Sequence, residues 1–350
     1  MNRSIEIDGR RIGDGSPVFI IAELSANHGQ DFEQAVAIVR AAKDAGVDAI
    51  KLQTYTPDTI TLKCDSEIFR IGKGTVWEGR VLHDLYAEAF TPWEWQPKLK
   101  ALAEELGLIC FSSPFDATAV DFLETMEVAV YKIASFELVD LPLIRRVAAT
   151  GKPLIMSTGM ATLAEIEEAV QAARGAGATQ IALLKCTSGY PADPREMNLR
   201  TIPHLAEAFD VVAGLSDHTL GSAVPVAAVA LGASIVEKHL TLSRAAGGPD
   251  SGFSLEPEEF KTMVRDIRQS EQALGRVCYE VGVNESKSRV FRRSLFAVED
   301  IAAGAPFTRE NVRSIRPANG LHTRHLEQVL AGKAACAIAR GTPLRWELIA

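Results

Sequence analysis

The sequence is poor in the features that mark membrane, secreted and nucleic-acid-binding proteins. No run among the 350 residues reaches the roughly 18 continuous apolar residues of a membrane span. The five cysteines are odd in number and none lies in a CxxC pair, so neither a disulfide framework nor a structural zinc site is expected. The opening MNRSIEIDGRRIGDG lacks the apolar centre of a signal peptide. We therefore expect a cytoplasmic protein.

Basic residues are also too few for a polyanion-binding surface. The chain has 37 Lys and Arg against 45 Asp and Glu, a net charge of −8, which argues against nucleic acid or an anionic membrane as a partner. Hydrophobic residues make up 47% of the chain, enough for a sizeable core. The length favours one large domain with a small one, or two of middling size.

Eight short apolar runs alternate with helix-like segments over the first two thirds of the chain. Continuous apolar runs separated by helices indicate βαβ units and a parallel sheet that is buried on both faces. Eight such units in about 250 residues is the size of a (β/α)8 TIM barrel. A doubly wound open sheet is the weaker alternative, because no GxGxxG follows the first run. The runs are 18–23, 49–53, 108–114, 128–135, 153–159, 181–188, 211–218 and 234–241.

The segments between the runs carry signals for helix starts. Asp31 predicts an N-cap for a helix that ends at Gly46, Thr91 predicts a cap before Pro92, and Thr162 with Glu165 forms a capping-box pattern. The gap after the second run is about 30 residues longer than the others, which predicts an insertion over the active-site face around 55–90.

The pattern predicts two domains joined by a linker. A TIM-barrel domain, 1–274, opens with a hairpin around Asp8-Gly9. A polar linker follows at 275–288. The last segment, 289–350, has short strand-like runs, SLFAVEDI (294–301) and AACAIA (334–339), so we predict a small β-rich domain. A unit of about 60 residues is marginal alone, and we expect it to lean on the barrel or on a partner chain.

Every predicted strand ends in polar or ionisable residues. In a TIM barrel these ends form one rim, where the active site lies. For any single serine, a strand-end cap is the simpler interpretation. Eight polar ends on one rim are harder to explain by structure alone, because buried polar groups cost free energy unless a ligand satisfies them. The candidates are Glu23, Lys51, Gln53, Ser113, Lys132, Ser135, Ser157, Ser188, Ser216, His218 and His239.

Three chemical roles follow from these residue types. His218 and His239 end adjacent strands and suit a divalent transition metal, the alternative being two histidines bonded to loops. Lys51 and Lys132 among serines suit a phosphate plus a carboxylate, and a Schiff base on Lys132 is the rival. Glu23 suits a general base or a group that orients a ligand hydroxyl.

The strand-end motifs resemble those of the sialic acid synthase family. The terminal motif SIRPANGL (314–321) is similar to the antifreeze-like, or SAF, domain of that family, so the resemblance covers nearly the whole chain. The barrel motifs are AELSANHGQ (22–30), KLQTYTPDTIT (51–61), FSSPF (111–115), YKIASFE (131–137), STGM (157–160), KCTSGYP (185–191), GLSDHT (214–219) and EKHLT (237–241).

The resemblance implies a condensation of phosphoenolpyruvate with an amino-sugar aldehyde. AELSANH, QTYTPDT, WEGRVLHDLY and TPWEW indicate 2,4-diacetamido-2,4,6-trideoxy-L-altrose as the sugar, with pseudaminic acid and phosphate as products. The alternative is an N-acetylneuraminate or legionaminate synthase with the same chemistry on another sugar. A third hypothesis, from another class, is a non-catalytic carbohydrate- or ice-binding protein.

The resemblance also implies residue roles. A divalent metal, Mn²⁺ or Mg²⁺, would be bound by His218 and His239, and Glu23 would be the acid/base or water-positioning group. Family members are domain-swapped homodimers, in which Arg316 would reach the partner's barrel. Phosphoenolpyruvate would contact Lys51, Ser113, Lys132, Ser135, Ser157, Ser188 and Ser216, and the sugar Asn27, Gln53, Glu137, Tyr190 and Asp250.

Overall fold

The computed structural model describes residues 3–350 and divides the chain into two compact units between Gly275 and Arg276. The first unit opens with the expected hairpin, in which β1 (Ser4–Ile7) pairs antiparallel with β2 (Arg10–Gly13). Asp8 and Gly9 both have positive φ, 50° and 70°, as a tight two-residue turn requires. Among residues 3–350, no helix is both long and apolar enough to span a membrane.

Eight parallel strands close into a barrel, which confirms the predicted fold and rules out the open sheet. Each strand is hydrogen-bonded to the next in chain order, and the last pairs with the first. The fourth strand is shorter than predicted, because residues 135–137 turn into a 3-10 helix. The strands are β3 (Phe19–Glu23), β4 (Ala49–Thr54), β5 (Ile109–Pro114), β6 (Tyr131–Ile133), β7 (Leu154–Ser157), β8 (Ile181–Cys186), β9 (Val212–Asp217) and β10 (Ile235–His239).

Helices follow the barrel strands and bury their apolar faces against the sheet. Two short ones, α2 (Pro57–Ile60) and α3 (Leu82–Ala89), belong to the insertion after β4. The others are α1 (Phe32–Ala45), α4 (Gln96–Glu105), α5 (Ala117–Thr125), α6 (Leu141–Ala148), α7 (Leu163–Gly175), α8 (Thr201–Phe209), α9 (Ala223–Ala230) and α10 (Pro257–Leu274).

Two of the three predicted helix caps are present. The Asp31 carboxylate accepts from the backbone N–H groups of Glu33 and Gln34, and the Thr162–Glu165 capping box forms. The predicted cap at Thr91 is wrong, since α4 begins only at Gln96. The Thr91 hydroxyl is buried and instead lies 3.3 Å from a ring nitrogen of His28, so the packing of this loop takes the group away from the helix.

The second unit has a small core of its own and little regular structure. It contains α11 (Val283–Ser286), α12 (Leu326–Leu330) and one antiparallel pair, β11 (Ser294–Ala297) with β12 (Val312–Ile315). The expected strand AACAIA (334–339) does not form. This segment makes only isolated antiparallel β-bridges, between Ala334 and Ile349 and between Ile338 and Ile301, and no continuous ladder. Leu295, Phe307 and Leu344 are among its buried residues.

Candidate active site

The closed barrel brings the carboxyl ends of its strands to one rim, and most of the predicted site residues lie there. The register pairs His239 with Glu23, Glu23 with Lys51, and Gln53 with Ser113. These neighbours come from strands that are far apart in the chain. Glu23, Lys51, Ser113, Lys132, Ser157, Ser216 and His218 are all buried.

Two lysines and two glutamates form a buried charge cluster in the barrel mouth. Lys51 Nζ pairs with Glu23 and lies 3.6 Å from Glu237 Oε1, and Lys132 Nζ lies 3.5 Å from the same oxygen. Lys51 also donates to Ser113 Oγ at 3.2 Å. The cluster therefore holds both cations in one place and balances them internally with carboxylates.

Glu237 is a site residue to which the sequence analysis assigned no role. It lies within reach of both lysines and accepts from Ser216 Oγ at 3.4 Å, while its Oε2 has no hydrogen-bond partner. The signal was present in the strand period: Glu237 and His239 are two residues apart on β10 and so share the inward face. Lys238, between them, points outward.

The environment gives the two carboxylates opposite pKa shifts. Burial raises the pKa of Glu23 to about 7, although the Lys51 ammonium opposes this. Burial also acts to raise the pKa of Glu237, but Lys132 and Lys51 outweigh it and hold that pKa below its usual value. Glu23 is thus a carboxyl group that can exchange a proton near neutral pH.

The two lysines, Lys51 and Lys132, also have pKa values shifted in opposite directions. Burial acts to lower the pKa of Lys51, yet Glu23 and Glu237 together raise it. Burial lowers the pKa of Lys132, and the attraction of Glu237 only partly offsets this. Lys51 is therefore a fixed cation, whereas Lys132 is the more easily deprotonated amine.

The two histidines lie side by side, with ring centres 5.3 Å apart. Metal–nitrogen bonds of about 2.0–2.1 Å put two imidazoles on one ion at about this centre-to-centre distance. His218 Nδ1 lies 3.1 Å from the Thr187 carbonyl oxygen and must donate to it, so Nε2 is the nitrogen that the neutral ring offers to a metal. Burial acts to lower the pKa of His218, but Cys186 and the Thr187 carbonyl outweigh it and raise that pKa, so a metal would have to displace a proton from this ring. His239 Nδ1 is buried without a partner.

The electrostatics keep His239 neutral, as a metal ligand must be. Burial, followed by the repulsion of His218 and Lys51, places the pKa of His239 well below its usual value. Within residues 3–350 there is no group of three or more His, Cys, Asp or Glu arranged around one ion position. His218 and His239 alone would offer an ion two protein nitrogens, and its other positions would be left to water or substrate.

Two of the predicted hydroxyl groups lie close to Gly159. Ser135 Oγ accepts from the Gly159 N–H at 3.1 Å, and a Cβ at Gly159 would overlap the hydroxyls of Ser135 and Ser188. A larger residue at position 159 would therefore displace these two hydroxyls. Ser157 Oγ is buried without a partner. Gly159 lies in the STGM motif, but no role was predicted for it from the sequence.

Cys186, to which no role was assigned from the sequence, lies against the site. Its Sγ is 3.9 Å from His218 Nδ1 and 3.8 Å from Ser188 Oγ. Burial acts to raise the pKa of this thiol, but His218 and the nearby hydrogen bonds lower it to about 7.

Two predicted sugar residues, Gln53 and Asp250, are linked by hydrogen bonds through Ser25 at the mouth of the barrel. A third, Asn27, lies next to this group. Gln53 Nε2 donates to Ser25 Oγ at 3.0 Å, and Ser25 Oγ in turn donates to Asp250. Asn27 Nδ2 donates to the Leu240 carbonyl and to Ser254, so only its Oδ1 is without a partner.

Glu137, Tyr190 and Arg316 have different surroundings. Glu137 is largely buried with an unpartnered Oε2, and burial raises its pKa to about 7. The centre of the Tyr190 ring lies 4.6 Å from that of the His218 ring. Arg316 belongs to the second unit, where its side chain is exposed.

An aromatic wall of Trp77, Tyr190 and Phe253 stands beside the imidazoles. The ring of Trp77, from the insertion, is centred 5.2 Å from that of Tyr190, and its indole N–H donates to the Pro249 carbonyl at 2.8 Å. The Phe253 ring centre lies 5.9 Å from that of His218 and 5.0 Å from that of His239. Neither Trp77 nor Phe253 was among the predicted site residues.

Comparison with known proteins places this site in a family. A profile described as the NeuB family matches residues 38–279, and one described as the SAF domain matches 292–350. A pseudaminic acid synthase of Campylobacter jejuni is 46% identical over 94% of this chain and 95% of its own length. That of Helicobacter pylori is 44% identical over 94% and 96%.

Relatives that make other sugar acids are less similar. An N,N'-diacetyllegionaminic acid synthase of Legionella pneumophila is 34% identical over 96% of both chains. The crystal structure of an N-acetylneuraminic acid synthetase from Leptospira borgpetersenii, in complex with citrate, is 32% identical. It covers 82% of this chain and 95% of that one, with a TM-score of 0.72.

Proposed function

The chain belongs to the NeuB family, and we propose from this premise that it acts as a pseudaminic acid synthase. It would condense phosphoenolpyruvate with 2,4-diacetamido-2,4,6-trideoxy-L-altrose to give pseudaminic acid and phosphate. The observation that carries the proposal is the buried Lys51–Glu23–Glu237–Lys132 cluster beside two adjacent imidazoles. Relatives named for this product are also more similar than those named for legionaminic acid.

The lysines and hydroxyls supply the binding site for phosphoenolpyruvate. Its phosphate and carboxylate need two cationic groups close together, which Lys51 and Lys132 provide. The unpartnered hydroxyl of Ser157 and those of Ser135 and Ser188 around Gly159 supply further donors. The remaining hydroxyls of the set are those of Ser113 and Ser216.

His218 and His239 would hold the divalent metal. Two nitrogen donors favour a transition ion such as Mn²⁺ over Mg²⁺, which prefers oxygen ligands. When bound, the ion would polarise the aldehyde of the sugar as a Lewis acid. The unpartnered Oε2 of Glu237, on the same strand face as His239, can bind a water next to this position.

The reaction forms one carbon–carbon bond and one bond from C2 to the oxygen of water, and it breaks the C2–oxygen bond to phosphate. C3 of phosphoenolpyruvate attacks the aldehyde carbon, positive charge develops at C2, and water adds to C2. Phosphate then leaves with the former C2 oxygen as the water-derived oxygen becomes the C2 ketone; of the two protons of the water, one ends on the aldehyde-derived hydroxyl and the other on the phosphate. Glu23, with a pKa of about 7, is poised to take a proton from the water. The two lysines neutralise the charge of the departing phosphate.

The sugar would lie between the aromatic wall and the polar group opposite. Trp77, Tyr190 and Phe253 offer an apolar surface for a deoxy position, and Gln53 and Asp250 offer hydrogen bonds. Glu137 and Asn27 each retain one unpartnered oxygen for the acetamido groups.

We also propose a cytoplasmic homodimer, as the family resemblance implies. Several apolar side chains near the rim of the barrel are exposed to solvent, which is typical of a protein–protein interface. They are Phe136, Val139, Met160 and Leu163, at 56–60% exposure. A partner's SAF domain over this rim would bring its Arg316 to the sugar and exclude water.

Phosphate release from phosphoenolpyruvate tests the proposal. We expect release with the L-altrose-configured 2,4-diacetamido sugar to exceed release with N-acetylmannosamine or the legionaminate precursor. EDTA should stop it and Mn²⁺ should restore it. Release that is fastest with another sugar would reassign the substrate, and borohydride trapping on Lys132 without any metal requirement would favour the Schiff-base rival.

A further inference from the structure

A fully buried ion pair ties β9 to β10 behind the two imidazoles. Lys238 Nζ lies 2.5 Å from Asp217 Oδ2, and neither side chain has solvent-exposed surface. The two residues face each other in the strand register. Each one directly precedes a histidine, so the pair occupies the helix-facing side of the strand ends that carry His218 and His239.

The same two charges hold the backbone on both sides of His218. The Asp217 carboxylate accepts from the Thr219 N–H at 3.0 Å and from the Thr219 hydroxyl at 3.1 Å. Lys238 Nζ donates to the Thr219 carbonyl oxygen. Residues 217 and 219 are therefore fixed to β10, and the peptide that carries His218 has little freedom to turn.

Stability alone does not account for this pair. Removing two ions from water costs several kcal/mol each, and well-packed apolar replacements of such pairs are often as stable or more stable. An ion pair with defined hydrogen bonds instead fixes the orientation and the register of the two strands that it joins. Two imidazoles that share one metal need such placement, to within about 0.5 Å.

We infer that Asp217 and Lys238 are positioning residues that set the spacing of His218 and His239 for a divalent metal. The inference rests on the proposed function, which assigns the metal to these histidines. Asp217 and Lys238 face away from the metal position and act through the strand backbone. A second consequence is that the charges can be removed as a pair without loss of the fold.

The charge-free double variant Asp217→Asn/Lys238→Met is the test. The introduced side-chain amide would still accept from the Thr219 N–H, and no unpaired ion would remain. We expect an unfolding free energy close to that of the wild type, measured by urea denaturation. The Mn²⁺ dissociation constant, measured by electron paramagnetic resonance of the free ion, should rise about 10- to 100-fold. The kcat should fall while the KM for phosphoenolpyruvate changes little.

Two further variants control for a purely structural role. Lys238→Arg keeps the cation and should retain most of the Mn²⁺ affinity. Asp48→Asn breaks the ion pairs of Arg10 and Arg268 at the opposite end of the barrel, so it should destabilise the fold without weakening Mn²⁺ binding. If the double variant does not fold, Asp217→Asn/Lys238→Gln serves, because it is also charge-free and its two amides can still bond to each other and to Thr219.

The outcomes separate this inference from the proposed function. Wild-type Mn²⁺ affinity in the charge-free variant, or equal weakening by Asp48→Asn, would overturn the positioning role. A wild-type protein that binds no Mn²⁺ and releases no phosphate would instead contradict the proposed function.

Discussion

The two ends of the barrel are built from the same eight strands but satisfy their polar groups differently. At the amino end, Asp48 accepts from Arg10 at 2.6 Å, from Arg268 at 2.8 Å and from the Ile20 N–H at 2.8 Å. At the carboxyl end, buried atoms without hydrogen-bond partners occur on Glu23, Ser157, Glu237 and His239. Asp48 at the amino end is fully hydrogen-bonded within the protein, whereas the carboxyl end keeps buried polar atoms that, under the proposed function, a ligand would satisfy.

This difference separates stability from chemistry along one sheet. Unsatisfied buried groups cost about 1–3 kcal/mol each, which the rest of the fold must offset. Substitutions at the rim should therefore abolish activity with little loss of stability. Substitutions at the amino end should lower the stability and leave the activity nearly unchanged.

The largest expected effect is the loss of activity in His239→Ala. The Nδ1 atom of this ring makes no hydrogen bond in the protein, so removal should leave the folded state intact while it takes away a metal ligand. We expect phosphate release to fall to background while the circular dichroism spectrum stays unchanged. Normal turnover in this variant would contradict the metal assignment.

The next effect is the loss of stability in Asp48→Asn. The substitution weakens two ion pairs and leaves Arg10 and Arg268 less well compensated, so we expect the free energy of unfolding to fall by about 2 kcal/mol. Below the unfolding temperature, kcat/KM should stay within about two-fold of the wild type, as for other substitutions that touch no substrate. A large fall in kcat/KM with unchanged stability would contradict the claim that the amino end of the barrel serves stability and not chemistry.

Glu23→Gln tests the pKa shift. A carboxyl group whose folded pKa is raised from 4.5 to about 7 makes the native state bind more protons than the unfolded state between these values, so wild-type stability falls as pH rises through that window. The amide does not titrate. Urea denaturation at pH 5 and pH 7.5 should show the variant gaining stability relative to the wild type at the higher pH. A difference independent of pH would place the Glu23 pKa near its usual value.

The smallest effect is expected for Ser157→Ala. The hydroxyl has no partner, so its removal should raise the unfolding free energy by about 1 kcal/mol, and the KM for phosphoenolpyruvate should rise several-fold. Destabilisation with an unchanged KM would indicate a structural hydroxyl.

Much of the fold follows from the sequence, because strand periodicity and helix caps are local signals. The eight runs, the hairpin at Asp8-Gly9 and the Thr162–Glu165 box all form. The Thr91 cap is wrong because a tertiary contact with His28 takes its hydroxyl, and the 334–339 strand is wrong because its neighbours meet it at single residues. No local pattern contains either fact.

The same distinction between local signals and tertiary contacts applies to the residues of the candidate site. Residue types at strand ends located the lysines, Glu23 and the histidines, because all barrel strands end at one rim. Gly159 and Phe253 were missed, since their importance lies in what packs against them. Glu237 could have been found from its two-residue spacing to His239.

A crystal structure with phosphoenolpyruvate and Mn²⁺ tests the central claim, that the open end of the barrel is completed by its ligands. We predict the phosphate and carboxylate between Lys51 and Lys132, with the ion on His218 and His239. Ligands bound elsewhere, with the Lys51–Glu23 and Lys132–Glu237 pairs undisturbed, would contradict it.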